Sequence, residues 1–309
     1  ATRNGEPCGR ILGIINREHN RRYKENRGFF GFYESVNDAE VSNGLFDAVM
    51  DWLEQYGIRQ VRGPVNPSLN YECGMLVEGF DSSPSFMMTY NHSYYEQLLR
   101  DYGFEKIQDL YAFWGHVEML ETLDEKLEVI AAAAAERFNV KMRRINPKRF
   151  KQEVHAFLDI YNQSLVNTWG FTPLSEREME HMSKGLRQLI APELTTMAEV
   201  DGRPVAVAFG LLDYNPRIKQ IDGRLFPFGF LRLLGNRKKI KNARILSTNV
   251  IPEYQRWGLG VTVLSRLRQD VLDWGLEEVE FSWVLETNQL SYKTLQRGGA
   301  KLNKTYRLF

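Results

Sequence analysis

The chain has 309 residues, of which 43% are hydrophobic and 12% aromatic, enough for one large domain or two ordinary ones with their own cores. Its 40 Lys and Arg stand against 39 Asp and Glu, a net charge of +1, so no global field recruits nucleic acid and any basic patch is local. Cys8 and Cys73 lie far apart and the five histidines lack metal-ligand spacing, which points to a reducing cytoplasm and away from a bound metal. No run reads as a membrane span or a signal peptide, and the missing Met at Ala1 suggests a trimmed or incomplete N-terminus.

In chain order, "CGRILGIINREHN" and "RGFFGFYES" predict strands, "DAEVSNGLFDAVMDWLEQYG" an amphipathic helix, "IRQVRGPV" a strand, "YYEQLLRDYGF" a short helix and "KIQDLYAFWGHVEM" a closing strand. Between that strand and the one before it in the plan lies "NPSLNYECGMLVEGF", a long loop expected to pack across to the second half and shape a pocket there. A capping box at Thr122 and Glu125 opens a connector helix over 121–138 that runs through the alanines at 131–135. "NVKMRRI" then predicts a strand, "PKRFKQEVHAFLDIYNQSL" and "SEREMEHMSKGLRQL" helices, and "TTMAEV" with "PVAVAFGLLDY" a strand pair turned at Asp201 and Gly202. An insertion at 215–241 precedes the strand "ARILSTNV", a helix, the strand "EEVEFSWVL", a short helix ending at Gly298 and the strand "KLNKTYRLF".

The two halves repeat weakly. Setting Gly57 against Gly275 matches the order strand, helix, strand, short helix, strand in both, and places Asn37 against Gln255, Glu40 against Gly258 and Ser42 against Gly260. The expected organisation is therefore a degenerate copy at 1–120 that lacks its opening strand and helices, the connector at 121–138, and a second copy at 139–309.

The stretch "VIPEYQRWGLGVTVLSRL" sits between a strand and a helix. A helix start leaves N–H groups without partners and carries about half a positive charge, so a phosphate is its natural occupant. Gly258 and Gly260 remove side chains that would hold a ligand off the backbone, and the amides of Arg256, Trp257, Gly258, Leu259, Gly260 and Val261 are expected to cradle two phosphates.

This Q-x-x-G-x-G loop, with Asn288 opening a short helix after the next strand, resembles the GNAT superfamily of acyl-CoA N-acyltransferases. The runs "GFFGFYESVNDAEV", "GPVNPSLNYECGMLVEGFD", "GRLFPFGFLRLL" and "FSWVLETN" resemble uncharacterised bacterial tandem-GNAT proteins. The resemblance implies a mixed-sheet α/β (α+β) fold and acetyl-CoA or a longer acyl-CoA as co-substrate, with no metal. It also implies that Gln255, Gly258, Gly260 and Asn288 belong to the cofactor site and that a backbone N–H near Asn249 or Val250 holds the developing oxyanion.

The chemistry sets what else to look for. An amine acceptor with a reference pKa near 10 must lose a proton before its nitrogen attacks the thioester. Alternation puts Glu280, Ser282, Val284 and Glu286 on one strand face, which makes Glu286 the expected base, with Glu253 second. The usual tyrosine acid of the family falls at Leu295 here, so Tyr292 is the expected substitute, with Tyr306 or water as alternatives. Asn162, Trp169 and Phe171 lie in the segment that passes over the acceptor in such folds.

The insertion carries "LFPFGFLRLLG", seven large apolar residues in eleven, and then "NRKKIK" with four cations. Two readings stay open: a lid folded onto the first half, or a segment at 225–241 that meets lipid headgroups and walls a tunnel for a long acyl chain or a lipid amine. The function read from sequence is N-acyl transfer from acyl-CoA to a small-molecule or lipid amine by direct attack on the thioester. A lipid-amine N-acyltransferase peripheral to the inner membrane face, including one that acts on a sphingoid-type base, and a non-catalytic acyl-CoA sensor remain as alternatives.

Overall fold

In the computed structural model, which describes residues 1–120 and 125–309, the first half runs β1 (Thr2–Arg3), β2 (Glu6–Pro7), β3 (Gly9–Ile14), α1 (Arg17–Tyr23), β4 (Gly28–Ser35) and α2 (Ala39–Glu54). It continues through β5 (Val61–Arg62), β6 (Val65–Asn66), β7 (Glu72–Cys73), β8 (Met75–Glu78), α3 (Tyr95–Tyr102) and β9 (Gln108–His116). Next come α4 (Glu125–Arg137), β10 (Lys141–Arg143), α5 (Phe150–Ser164), α6 (Glu176–Leu186), β11 (Thr195–Val200) and β12 (Arg203–Leu212). The insertion folds as α7 (Asn215–Gln220) and α8 (Gly229–Leu234), and the chain ends through β13 (Asn242–Val250), α9 (Leu259–Trp274), β14 (Glu278–Leu285), α10 (Gln289–Arg297) and β15 (Lys301–Leu308).

Two local expectations change. The first predicted strand stops at Ile14, because the Asn16 side chain accepts from the His19 amide and starts α1. "IRQVRGPV" yields only the two short pieces β5 and β6. The capping box at Thr122 lies outside the described residues.

The halves are joined by strand exchange. One eight-stranded sheet has the order β10-β11-β12-β13-β14-β9-β15-β8, so β9 of the first half lies between β14 and β15 of the second. In return, the end of β15 reaches the first half: Phe309 and Gly63 exchange N–H···O bonds of 2.8 and 3.0 Å, and Phe309 is buried with Phe30, Phe46 and Leu99. β13 and β14 are parallel neighbours, whereas β12 and β9 flank them antiparallel.

The largest core lies between this sheet and α9, whose Leu259, Val263, Leu267, Val271 and Trp274 form one buried stripe at helical spacing. Gly275, at φ +78°, ends α9 in the left-handed conformation that glycine adopts without a Cβ clash. On the opposite face, α5 packs against β12 and β13. α9 and α5 are thereby fixed on either side of the strand pair that opens into the site.

Candidate active site

β13 and β14 pair from Asn242 with Glu278 to Ile245 with Phe281 and no further. Each strand has a bulge at that point: Leu246 is extra between the partners of Gly210 and Phe209, and Ser282 and Trp283 together oppose a single residue of β9. The strands therefore diverge, and the last part of β13 presents a free edge. The Ile251 N–H donates to the Val205 carbonyl at 3.0 Å, and antiparallel alternation then turns the Asn249 backbone toward β12 and the Thr248 and Val250 backbones toward the gap. Of the expected oxyanion pair, only the Val250 amide faces the opening. Gln255 fixes this edge, donating through Nε2 to the Val250 carbonyl and to the Ser164 carbonyl of α5, both at 2.9 Å.

Past Val250 the chain makes a 3-10 turn over Pro252–Trp257, and Gly258 at φ +88° starts α9 with no side-chain cap. A Cβ at Gly258 would stand 2.6 Å from Ile130 Cγ2 of α4, whereas a Cβ at Gly260 would meet Val250 Cγ2 and Thr248 Cγ2 at ordinary contact distances of 3.7 and 3.9 Å. Among the described residues, the amides of Gly258, Leu259, Gly260 and Val261 have no acceptor, and Thr262 is the first to bond back, to the Gly258 carbonyl. The expected cradle therefore begins two residues later than read from sequence, since Arg256 and Trp257 belong to the 3-10 turn. The Trp257 ring turns away to stack under the Arg137 guanidinium at 3.8 Å, and the Leu259 side chain is core. Four free amides at a helix start fit a diphosphate.

The amides open onto a cavity of about 1070 Å³. Its lining takes Leu264, Ser291 and Leu295 from α9 and α10, and Phe150, Val154, Met182, Leu186, Met197 and Val207 from α5, α6, β11 and β12. Further lining comes from the first half, with Leu69 to Cys73 and Met87 to Thr89. That loop does pack across. Tyr161 of α5 donates to Asn70 Oδ1 at 2.9 Å, and Asn70 Nδ2 donates to the Thr172 carbonyl at 2.8 Å. Burial pushes the Cys73 thiol up to about 12, which favours the less reactive thiol over the thiolate at neutral pH.

The sequence-predicted residues divide. Asn249, Val250, Gln255, Arg256, Gly258, Gly260, Val261, Asn288, Trp169 and Phe171 all line the cavity. Asn249 is held by Ser164 Oγ at 2.8 Å, and Asn288 caps α10 through the Ser291 amide. Asn162 is not a lining residue; its amide clips both backbone groups of Leu174, at 2.9 Å each.

Glu286 and Tyr292 also stand outside the cavity wall. The β14 bulge reverses the alternation assumed from sequence, so Glu286 falls on the face of Phe281 and Val284, opposite Glu280. There its carboxylate is held by Lys106 Nζ at 2.8 Å and the Asp109 amide at 3.1 Å. Tyr292 packs on that same face, its ring edge-on to Tyr111 and Phe113. Glu253 pairs at 3.5 Å with Arg203 on the surface. Sequence reasoning missed Tyr161 and Ser164 as wall residues, and held Glu72 only as part of the loop expected to shape a pocket.

Comparison with known proteins agrees with this architecture. Residues 154–299 match the model of the Acetyltransferase (GNAT) family. The whole chain is 33% identical to Protein YghO of Escherichia coli K12, over 80% of that protein, and 33% identical to a bacterial ceramide synthase of Caulobacter vibrioides, over 82% of it. A tandem GNAT protein from the clavulanic acid biosynthesis pathway, solved without acetyl-CoA, superposes with a TM-score of 0.53 at 10% identity, over 99% of this chain and 79% of that one, which speaks for fold alone. With a divergent strand pair, an uncapped glycine helix start and relatives of this kind along its full length, the chain belongs to the GNAT family of acyltransferases.

Proposed function

We propose that the chain moves a long acyl group from acyl-CoA to the amine of a lipid by direct attack on the thioester. The observation that carries this reading is the size of the cavity, about 1070 Å³, and the apolar lining that α5, α6, β11 and β12 add to it beside the β13–β14 gap. An acetyl donor has no use for that lining. In this reading the amides of Gly258 to Val261 hold the diphosphate of the donor, the free edge of β13 lines its pantetheine arm, and the Val250 amide faces the thioester oxygen. The neutral Cys73 thiol favours direct transfer over an acyl-enzyme. The similarity to a protein named bacterial ceramide synthase points to the same acceptor class.

The insertion supports a lipid substrate in another way. Its base meets the first half, where Asn215 Nδ2 donates to the Pro84 carbonyl at 2.8 Å, but its tip stays exposed. Arg217 ties its base through the carbonyls of Leu233 and Asn236, at 3.0 and 2.8 Å. Its tip leaves Phe226 83% and Phe228 70% exposed, with Leu225, Phe230 and Leu231 beside them. The exposed cations Arg232, Lys238 and Lys239 flank that tip, a composition suited to an anionic bilayer surface. No described helix is long and apolar enough to cross a membrane, so the contact in this reading is peripheral.

Release of free thiol from acyl-CoA of increasing chain length, with a sphingoid-type amine as acceptor, tests the proposal. Burial of each methylene is worth about 0.8 kcal/mol, so kcat/KM should rise about fourfold per methylene until the cavity is full. Acetyl-CoA performing as well as palmitoyl-CoA overturns the long-chain reading, and binding without any turnover leaves the sensor alternative in its place. Co-sedimentation with phosphatidylglycerol vesicles should be lost when Phe226, Phe228 and Phe230 are all replaced by Ser; retention counts against the membrane contact.

A further inference from the structure

The acceptor amine arrives protonated, so transfer needs a proton acceptor on the cavity wall. Two carboxylates line that wall, Glu72 and Glu153, and it carries no histidine or lysine among the described residues. Glu153 is committed. Both of its oxygens accept from Arg143 NH1, at 2.8 and 2.9 Å, and it is buried. Glu72 is exposed and lines the cavity, and among the described residues its carboxylate has neither an ion pair nor a hydrogen bond. It belongs to β7 in the first half, which carries no open helix start of its own.

The placement of Glu72 is fixed by a chain of contacts that leads to the gap. Asn249 of β13 bonds Ser164 of α5; one turn earlier on α5, Tyr161 bonds Asn70; Glu72 is two residues beyond Asn70 and enters β7 opposite Asn66. Cys73 on its own strand and Arg244 of β13 lie within reach of its charge, and the neighbouring Tyr71 donates to Glu178 of α6 at 3.5 Å. Arg244, on the strand that borders the gap, feels the Glu72 charge. Its guanidinium is already used by the Phe86 and Met87 carbonyls and by Ser282, so it does not tie Glu72 down.

We propose that Glu72 is the general base for the acceptor, supplied by the degenerate half to the active site of the other. This rests on the acyl-transfer reading above. The ammonium gives one proton to the Glu72 carboxylate. The freed lone pair forms the nitrogen–carbon bond, the carbon–sulfur bond breaks, and the second nitrogen proton ends on the leaving thiolate. Glu72 then returns its proton to water, so the net reaction releases an amide, a thiol and one proton.

Glu72→Gln tests the assignment, with acceptors of two kinds. With a sphingoid-type amine, kcat should fall on the order of 100-fold or more, the usual worth of a general base, while affinity for palmitoyl-CoA by calorimetry stays at the parent value. With an O-alkylhydroxylamine, already neutral at pH 7, transfer should stay within about threefold of the parent, since no proton has to be removed first. Glu72→Asp should recover part of the lost rate. Equal losses with both acceptors, or no loss with either, overturn the base. A parent enzyme that transfers to neither acceptor overturns the acyl-transfer reading instead, so the two failures are distinct.

Discussion

The starts of α2 and α9 hold the same place in the two halves, and only one is open. Both helices have 16 residues, but residues 36–38 join β4 to α2 whereas residues 251–258 join β13 to α9. Counted from the helix starts, Asp38 stands where the second half has Gly258, and Glu40 where it has Gly260, two residues away from the register suggested by the glycines at the helix ends. The Asp38 side chain accepts from the Glu40 and Val41 amides, at 2.9 and 3.4 Å, and is paired with Arg3 at 2.8 Å. The protein thus fills with its own carboxylate, in one half, the place that the proposed diphosphate takes in the other. A shorter loop and one capping residue are enough to close such a site.

The most severe way to break this contrast is to give α9 the acid of α2. Gly260→Asp has room for its Cβ and should lower acyl-CoA affinity on the order of 100-fold by like-charge repulsion in the cleft, with Tm preserved; calorimetry with unchanged affinity would contradict the phosphate cradle. Gln255→Ala removes both bonds that hold the β13 edge and should cost about tenfold in affinity, the worth of roughly 1.4 kcal/mol. Asp38→Ala runs the comparison in reverse. A fall in Tm of a few degrees is expected, with no acyl-CoA binding gained at α2, because Glu40 and the short loop remain; saturable binding there would show that the cap alone closes the site.

A smaller effect is expected at the seam between the insertion and the first half. Asp213 accepts from the Phe86 and Asn215 amides, and burial raises its carboxyl to about 6. A folded-state value above the unfolded one means that its contribution to stability is complete below the ordinary carboxylate value and is lost as pH rises through about 6. Asp213→Asn keeps an acceptor for both amides and should raise Tm by a few degrees at pH 8 but not at pH 4. A gain of the same size at both values would point to packing rather than charge.

Periodicity and turn residues made the second half legible nearly element by element, because each strand and helix there is specified by its own local pattern. The open helix start was legible for the same reason. Glu286 was not, since parity along β14 holds only until the Ser282–Trp283 bulge, which no local residue announces. Tyr292 fails differently: a nine-residue helix shows its apolar face in sequence, but not which side of the sheet it covers. Glu72 lies 177 residues from Asn249, and that both line one cavity is a tertiary fact, made by packing such as the Asn70–Tyr161 bond. The exposed phenylalanines of the insertion were visible as composition, yet whether they turn inward depends on the Arg217 clasp at their base.

The exchanged strands also bear on how the molecule is made. Gly63 and the aromatic cluster of Phe30 and Phe46 obtain their last neighbour from Phe309, so on a ribosome the first half emerges with an unfilled nucleus and an unclaimed strand in β9. Synthesis of the two halves as separate polypeptides would leave each with the edge that the other is shaped to cover. A gene split at the connector should therefore yield sticky fragments that recover only when produced together.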